Sequence, residues 1–283
     1  MNKKSLGILG SRGYVGQELV PLVKAHGGFD FRLVDDVRER FDAYVLALPN
    51  GAAKEYLPNI APEAVVVDLS ADHRFDDAWV YGQPERLRAK LLGAKRISNP
   101  GCYATAMQLA IDPVKHLIDG PAHVFGVSGY SGAGKKPSPK NDTELLRENL
   151  LPYSLLDHVH EREVARQLAT PIFFAPHVAS WFRGITVTVS FALKDGVDLW
   201  PLYERAYRDE PGVHFTPAET PLVRDVVGKH DVFIGGLAQP ADKRRAMVVA
   251  TIDNLLGGAA SQAVRNLNLA LGFPERQGLD ASS

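Results

Sequence analysis

A single cysteine, Cys102, stands among 283 residues. One thiol closes no intrachain disulfide, so nothing points to a stapled, secreted scaffold. No window approaches the roughly 18 consecutive apolar residues that a membrane helix requires. The start, Met1-Asn2-Lys3-Lys4-Ser5, is basic, but the apolar stretch behind it is broken by Gly7, Gly10, Arg12 and Gly13. It reads as a first strand, not as a secretory leader. Neither charge sign prevails: 32 basic residues face 33 acidic ones, for a net charge of −1. That balance carries no electrostatic footprint for nucleic acid or for an anionic membrane surface. There is no internal repeat and no low-complexity tract. What remains is a cytoplasmic globular enzyme, with an ordinary 45% apolar fraction and length enough for two domains.

The first hundred residues alternate short apolar runs with helical spacing. Strands are expected at 6–9, 31–34, 43–48 and 64–69, and a helix over 15–25 carries Val15, Leu19, Leu22 and Val23 on one face. Continuous apolar strands between helices predict a parallel sheet covered on both sides, the doubly wound α/β pattern of nucleotide-binding domains. After Cys102 the strands become longer and β-branched: 123–127, 172–175, 185–193, 232–237 and 246–252. Residues 185–193 alternate apolar and polar, so one face of that strand is wet or lies against a partner. A helix is expected over 199–208 with Asp198 as its N-cap and Pro201 in its first turn. This half reads as α+β. A last, amphipathic helix runs over 259–271 and stops at Gly272-Phe273-Pro274, leaving 275–283 as a loose tail.

Three segments carry chemistry. Gly10-Ser11-Arg12-Gly13-Tyr14-Val15-Gly16 sits between the first strand and the first helix, where glycines permit a tight turn and close approach of backbone N–H groups to a pyrophosphate. Asp35 and Asp36 follow the second strand, where an acid holds the ribose 2′-OH of NAD; Arg12, Arg38 and Arg40 are placed to meet a 2′-phosphate instead. Spacing leaves the two cofactors tied. Cys102 follows an extended run, 95–98, that breaks at Pro100-Gly101, and precedes the helix formers Ala104 to Ala110. A thiol at a helix start meets unpaired N–H groups and the positive dipole end, which favour the thiolate nucleophile; the alternative is a buried structural thiol. Gly129-Tyr130-Ser131-Gly132-Ala133-Gly134-Lys135-Lys136 approaches a P-loop but lacks the Ser/Thr that would hold magnesium, so it is no ATP site. It remains either an anion-binding loop or a plain turn.

Asp157-His158-Val159-His160 precedes another helical run. Metal binding would need a third and a fourth ligand that are not evident, so no metal is expected. The histidines are then a solvated helix start or an acid–base pair for Cys102. His177 is a further candidate beside a structural, hydrogen-bonded reading, and Arg183, next to Gly184, is either an anion clamp or a surface ion pair. His26, His73, His116, His123, His214 and His230 show no partner pattern.

Taken together, Ile97 to Tyr103, Val127 to Lys136, His158-x-His160-x-x-Glu163 and Phe174 to His177 with Phe182-Arg183-Gly184 resemble the N-acetyl-γ-glutamyl-phosphate reductases, arginine-biosynthesis enzymes related to aspartate-semialdehyde dehydrogenase. Val67 to Arg74 and Val80-Tyr81-Gly82 fit the same pattern, so the resemblance spans about Gly7 to Gly272. It implies a Rossmann domain (1–100 with 257–283), an α+β catalytic and oligomerising domain (101–256), NADPH as reductant, a small acyl-phosphate substrate and a homo-oligomer, dimer or tetramer. It implies Cys102 as nucleophile, His160 as base with His158 second, and Glu163 as orienter. Cofactor contacts fall to the turn Gly10, Ser11, Arg12, Gly13, Tyr14, Val15 and Gly16, with Asn99 and Pro100 by the nicotinamide. The segment between Val34 and Phe41 is shorter and more acidic than in longer relatives, which leaves Arg12 and Arg38 to meet a 2′-phosphate. Ser128, Ser131, Gly132, Lys135, His177 and Arg183 are the candidates for substrate. Two rival readings remain open: a sister reductase acting on aspartyl or aminoadipyl phosphate, and a dinucleotide-binding redox sensor without turnover.

Overall fold

The computed structural model describes residues 3–279, which divide into two compact units, 3–101 with 259–279 and Cys102–Gly258. The first unit is a six-stranded parallel sheet. Its strands are β1 (Lys4–Leu9), β2 (Phe29–Leu33), β3 (Ala43–Leu46), β4 (Val65–Asp68), β5 (Val80–Tyr81) and β6 (Arg96–Ser98), in the order β2-β1-β3-β4-β6-β5. β3 and β4 are buried at every position, as their unbroken apolar runs require. The chain crosses from β1 to β2 on one side and to β3 on the other, so the switch point of the sheet lies beside the carboxyl end of β1. Helix α1 (Tyr14–His26) leaves from that point, and the short helices α2 (Ala53–Tyr56) and α3 (Pro84–Leu91) follow. β2 begins two residues earlier than periodicity suggests, because Phe29 is buried against Phe273 and His26.

The second unit is a seven-stranded mixed sheet in the order β11-β12-β13-β10-β7-β9-β8. Its strands are β7 (Ile118–Gly129), β8 (Leu150–Pro152), β9 (Ile172–Ala179), β10 (Ile185–Leu193), β11 (Val213–Thr216), β12 (Val232–Ala238) and β13 (Arg245–Ile252). Helices α4 (Cys102–Ile111), α5 (Val159–Leu168) and α6 (Trp200–Tyr207) pack on one face; the short helix α7 (Val223–Val226) lies against β13. β10 keeps its expected limits. Ile185, Val187, Val189, Phe191 and Leu193 are buried under the helices, and Thr186, Thr188 and Ser190 face the other way. That other face exposes Phe125, Phe173 and Met247. β9 runs four residues past its expected end, carrying Pro176 and His177 inside the sheet. The N-cap of α6 is Leu199, not Asp198, although the Asp198 carboxylate still accepts the Trp200 N–H at 3.2 Å.

Two expectations fail at the C-terminal end, for one reason. Helix α8 (Ser261–Leu271) stops at Gly272 as expected, but residues 261–270 are all buried. Its polar residues face protein instead of water. Arg265 pairs with Glu85 and Glu275, Gln262 and Asn266 donate to the Gly82 carbonyl, and Asn268 bonds the His26 ring. The tail is tied down by the same groups. Glu275 also pairs with Arg88, Asn268 Nδ2 donates to the carbonyls of Glu275 and Gln277, and Leu279 is buried. Residues 280–283 of that tail lie outside the described residues. Among the described residues no helix is long and apolar enough to cross a membrane.

Candidate active site

In the first unit the glycine turn has the shape a dinucleotide pyrophosphate needs. Gly10 adopts φ +79°, and a Cβ there would stand 2.1 Å from the Ala47 carbonyl oxygen. A Cβ at Gly16 would stand 2.5 Å from the Gly10 carbonyl oxygen, so the first turn of α1 lies directly on the end of β1. At Gly13 the nearest neighbour of such an atom is 3.5 Å away, which leaves that side of the turn open. Gly13 is also the N-cap of α1, it has no side chain to satisfy the helix's first N–H groups, and no acidic residue occupies the first turn. These amides fit a pyrophosphate. Beyond β2, Asp35, Asp36, Arg38 and Arg40 line one open cavity of about 610 Å³. Arg38 donates from Nε to Asp36 at 2.7 Å, which lowers the Asp36 carboxyl below its ordinary range. Arg12 lies 3.6 Å from Asp35. Asn99, expected beside the nicotinamide, is 1% exposed and held at every polar group. Its N–H donates to Asp68 O, its carbonyl accepts from Arg74, its Oδ1 accepts from Asn266 and its Nδ2 donates to Ala259 O. With Pro100 also buried, Asn99 fixes the turn ahead of Cys102.

In the second unit Cys102 is the first residue of α4 and is partly exposed. Ala104 to Ala110 behind it are all buried, so the helix is anchored in the core while its N-terminal sulfur reaches the surface. The thiol opens on a small cleft of about 40 Å³ that it shares with Ser128, Gly132, Lys140, Tyr153 and His160. The structure therefore brings together Cys102, His160, Ser128 and Gly132 of the sequence candidates. His158 is the N-cap of α5, its Nδ1 accepting the His160 N–H at 3.1 Å, and the two imidazoles lie 4.9 Å apart. Burial, and then the nearby Lys140 ammonium, push the His158 pKa down to about 4. His158 is thus a neutral capping group, not a solvated helix start, and His160 is the histidine whose ring lines the cleft. Among the described residues no three metal-ligating side chains gather into a site. Glu163 is fully buried on the same helix.

Sequence reasoning did not single out Lys140 or Tyr153. Asn141 binds the carbonyls of Gly134 and Lys136 and the N–H of Ser138, tying the 134–141 loop so that Lys140 reaches the cleft. The Lys140 Nζ lies 4.8 Å from the centre of the Tyr153 ring. The Tyr153 hydroxyl is hydrogen-bonded to that of Tyr103, which donates in turn to the His177 carbonyl at 2.8 Å. Burial, followed by nearby negative charge, raises both phenol pKa values, so both hydroxyls stay protonated beside the sulfur. A basic residue followed by Asn in a polar loop, and one aromatic in another, are too common to be read as a site.

Other candidates lie elsewhere. His177 belongs to the opposite face of β9 from Val178, which lines the cleft; its ring is 4.6 Å from Phe125 and its Nδ1 meets the Ala175 carbonyl. Only its main-chain carbonyl serves the Cys102 side, so the imidazole is no substrate group there. The 129–134 loop is not a nest of open amides. The N–H groups of Gly129, Tyr130 and Ser131 go to the carbonyls of Gly184, Trp181 and Phe182, and that of Gly134 to Ser131. The Ser128 hydroxyl donates to the Gly129 carbonyl, and the Ser131 oxygen accepts from Asn254. Lys135 is not among the residues lining the cleft. Arg183 is no surface ion pair: its Nε and Nη2 meet the fully buried Asp253 carboxylate at 2.8 and 3.0 Å.

Comparison with known proteins identifies the family. The family description "Semialdehyde dehydrogenase, dimerisation domain" matches residues 102–254, and "Semialdehyde dehydrogenase, NAD binding domain" matches 30–94. The N-acetyl-gamma-glutamyl-phosphate reductase of Xanthomonas euvesicatoria pv. vesicatoria is 46% identical over 97% of this chain and 98% of its own length. The chain belongs to the N-acetyl-gamma-glutamyl-phosphate reductase family. A second relative, the Schizosaccharomyces pombe "Protein arg11, mitochondrial", is 45% identical over 96% of this chain, which spans only 35% of that protein. Among solved structures, aspartate semialdehyde dehydrogenase II of Vibrio cholerae superposes with a TM-score of 0.80 at 18% identity, covering 96% of this chain and 99% of that one. The Candida albicans aspartate semialdehyde dehydrogenase with NADP gives 0.73 at 13% identity, covering 95% and 99%. The reductase family is thus built on the aspartate semialdehyde dehydrogenase fold, with an NAD(P)-binding domain of Rossmann type.

Proposed function

We propose that this protein reduces N-acetyl-γ-glutamyl phosphate to N-acetylglutamate 5-semialdehyde and phosphate, with NADPH as reductant, in arginine biosynthesis. The observation that carries the mechanism is the cleft in which the chain's one thiol, at the first residue of a ten-residue helix, faces His160 and Lys140. The full-length bacterial relatives carry the substrate assignment.

An acyl phosphate is activated toward attack in a way a carboxylate is not. His160 takes the Cys102 proton, an effect worth about 10²–10⁴ in rate. The thiolate, favoured by the start of α4, attacks the γ-carbonyl carbon, and phosphate leaves as the thioester forms. The oxyanion of that attack lies by the first N–H groups of α4, where one donor is worth about 3 kcal/mol. Lys140 and Arg183 are the cations for the substrate's anionic groups. When bound, NADPH would supply the hydride that converts the thioester to the semialdehyde, and the turn 10–16 would hold its pyrophosphate, while Asn99 and Pro100, buried and tied to the protein, only shape the turn ahead of Cys102. Arg12 and Arg38 meet its 2′-phosphate, a reading supported by the open cavity beyond β2 that Arg38 and Arg40 line, and opposed by the carboxylates of Asp35 and Asp36 that pair with Arg12 and Arg38. The exposed face carrying Phe125, Phe173 and Met247 joins copies of the chain into a homo-oligomer, in keeping with a matched domain named for dimerisation.

The test is chemical trapping. The protein is mixed with the acyl phosphate in the absence of reductant and weighed intact. An added acyl mass that maps to Cys102 is the expected result; no adduct, or an adduct elsewhere, refutes the covalent route. Oxidation of candidate semialdehydes with phosphate and NADP, run side by side, separates this activity from that of an aspartyl or aminoadipyl reductase. A protein that turns over none of them is a sensor.

A further inference from the structure

Asp253 and Asn254 follow directly on β13, and neither figures in the chemistry above. Asp253 has no exposed surface and Asn254 only 2%. The Asp253 carboxylate accepts a hydrogen bond from Arg183 Nη2 at 3.0 Å and lies in ion-pair contact with its Nε at 2.8 Å, and it also accepts the N–H groups of Gly228, Leu255 and Leu256 at 2.7, 2.9 and 3.2 Å. The Asp253 carbonyl accepts the Gly258 N–H at 2.9 Å within the π-helical turn Leu256–Ala260. That turn lies against the nucleophile: a Cβ on Gly258 would stand 2.8 Å from the Cys102 Cβ and 3.2 Å from its Cα. Asn254 reaches the other two segments. Its Oδ1 accepts the Gly184 N–H at 2.7 Å, and its Nδ2 donates to the Ser131 oxygen at 3.0 Å.

One strand end therefore bonds Arg183, Gly184 and Ser131 directly and reaches Cys102 through Gly258, segments that are far apart in sequence. We propose that Asp253 and Asn254 are the positioning pair of this active site, holding Arg183 and the Ser131–Gly132 turn in register with Cys102. The inference rests on the reading of Cys102 as nucleophile and Arg183 as partner of a substrate anion. A salt bridge serving stability alone would need neither the Asn254 bonds to both loops nor a side-chain-free contact with the cysteine. Each contact removes a freedom that would otherwise be lost when substrate binds.

The experiment follows phosphate-dependent oxidation of N-acetylglutamate 5-semialdehyde with NADP, and separately the alkylation of Cys102 by neutral iodoacetamide, both on the full chain. In Asn254→Ala the KM for phosphate or semialdehyde rises about tenfold or more, while alkylation stays within about twofold of the parent. In Gly258→Ala the pattern inverts: alkylation and kcat fall about tenfold and KM moves little. Asn254→Asp keeps the acceptor for Gly184 and recovers most of the loss. Parent-like constants in Asn254→Ala, or a loss shared equally by alkylation and turnover, overturn the proposal. Should Asn254→Ala fail to fold, Ser131→Ala cuts the same bond from its other end, and absence of the KM-selective loss there overturns it equally. A parent without turnover on any semialdehyde sinks the functional reading and this one with it; an active parent with the wrong split sinks this one alone.

Discussion

His158 makes the protein acid-sensitive in a way that can be isolated. Its imidazole sits at the N-cap of α5, half-buried and close to Lys140, with its pKa pushed from 6.5 down to about 4. In the unfolded chain it titrates normally. Between those two values the unfolded state binds a proton that the folded state does not, so stability rises with pH across the window and is level above it. Falling pH removes that stability, beginning near 6.5 and ending near 4. From pH 7.5 to pH 5 the whole shift amounts to about 2 kcal/mol. Part of the ring remains near solvent, which screens the charge, so we expect about 1 kcal/mol. His158→Asn is the matching control, because Asn is a preferred N-cap and still offers an oxygen to the His160 N–H. Urea titrations of both proteins at several pH values give the difference directly. The parent loses about 1 kcal/mol more than His158→Asn between pH 7.5 and 5. Parallel curves would refute the argument, and a parent that gains on acidification would reverse its sign.

Other outcomes follow from the same geometry. Cys102→Ser abolishes turnover while NADPH still binds, as fluorescence titration of the cofactor reports; an active serine variant ends the thioester mechanism. His160→Asn lowers kcat by about 10²-fold or more with little change in KM, and a larger effect in steady-state assays of His158→Asn would exchange the two roles. Gly16→Ala drives a methyl group into the Gly10 carbonyl, and NADPH affinity by titration falls at least about tenfold, or about 1.4 kcal/mol. Glu275→Ala leaves the buried Arg265 with Glu85 as its remaining carboxylate, which costs about 3 kcal/mol in urea unfolding; a loss under about 1 kcal/mol would mean the tail is not structural.

What could be read from the chain alone depended on how far apart the deciding atoms lie in sequence. The glycine turn, the start of α4 at Cys102 and the alternation of β10 are written within a few consecutive residues, and all three stand where periodicity and turn chemistry put them. α8 shows the opposite case. Gln262, Arg265, Asn266 and Asn268 read as the wet side of an amphipathic helix, since nothing local distinguishes a polar face turned to water from one turned to buried partners. Those partners are Gly82, Glu85 and His26, about 180 residues or more upstream. His177 lies between these cases. Had β9 been read through to Ala179, alternation alone would have set Phe174, Pro176 and Val178 on the face toward α4 and α5 and His177 on the other. A strand read four residues short leaves the face of His177 open, because a two-residue period converts every boundary into a choice of face. Asp253 and Asn254 were illegible for a further reason. A buried carboxylate is tolerable only if paired, and its pair, Arg183, is 70 residues away. Seen alone, an Asp-Asn at the end of a strand is an ordinary turn. Only the fold shows that it ends against the cysteine, so the residues that set the geometry of a site leave less trace in a sequence than those that perform its chemistry.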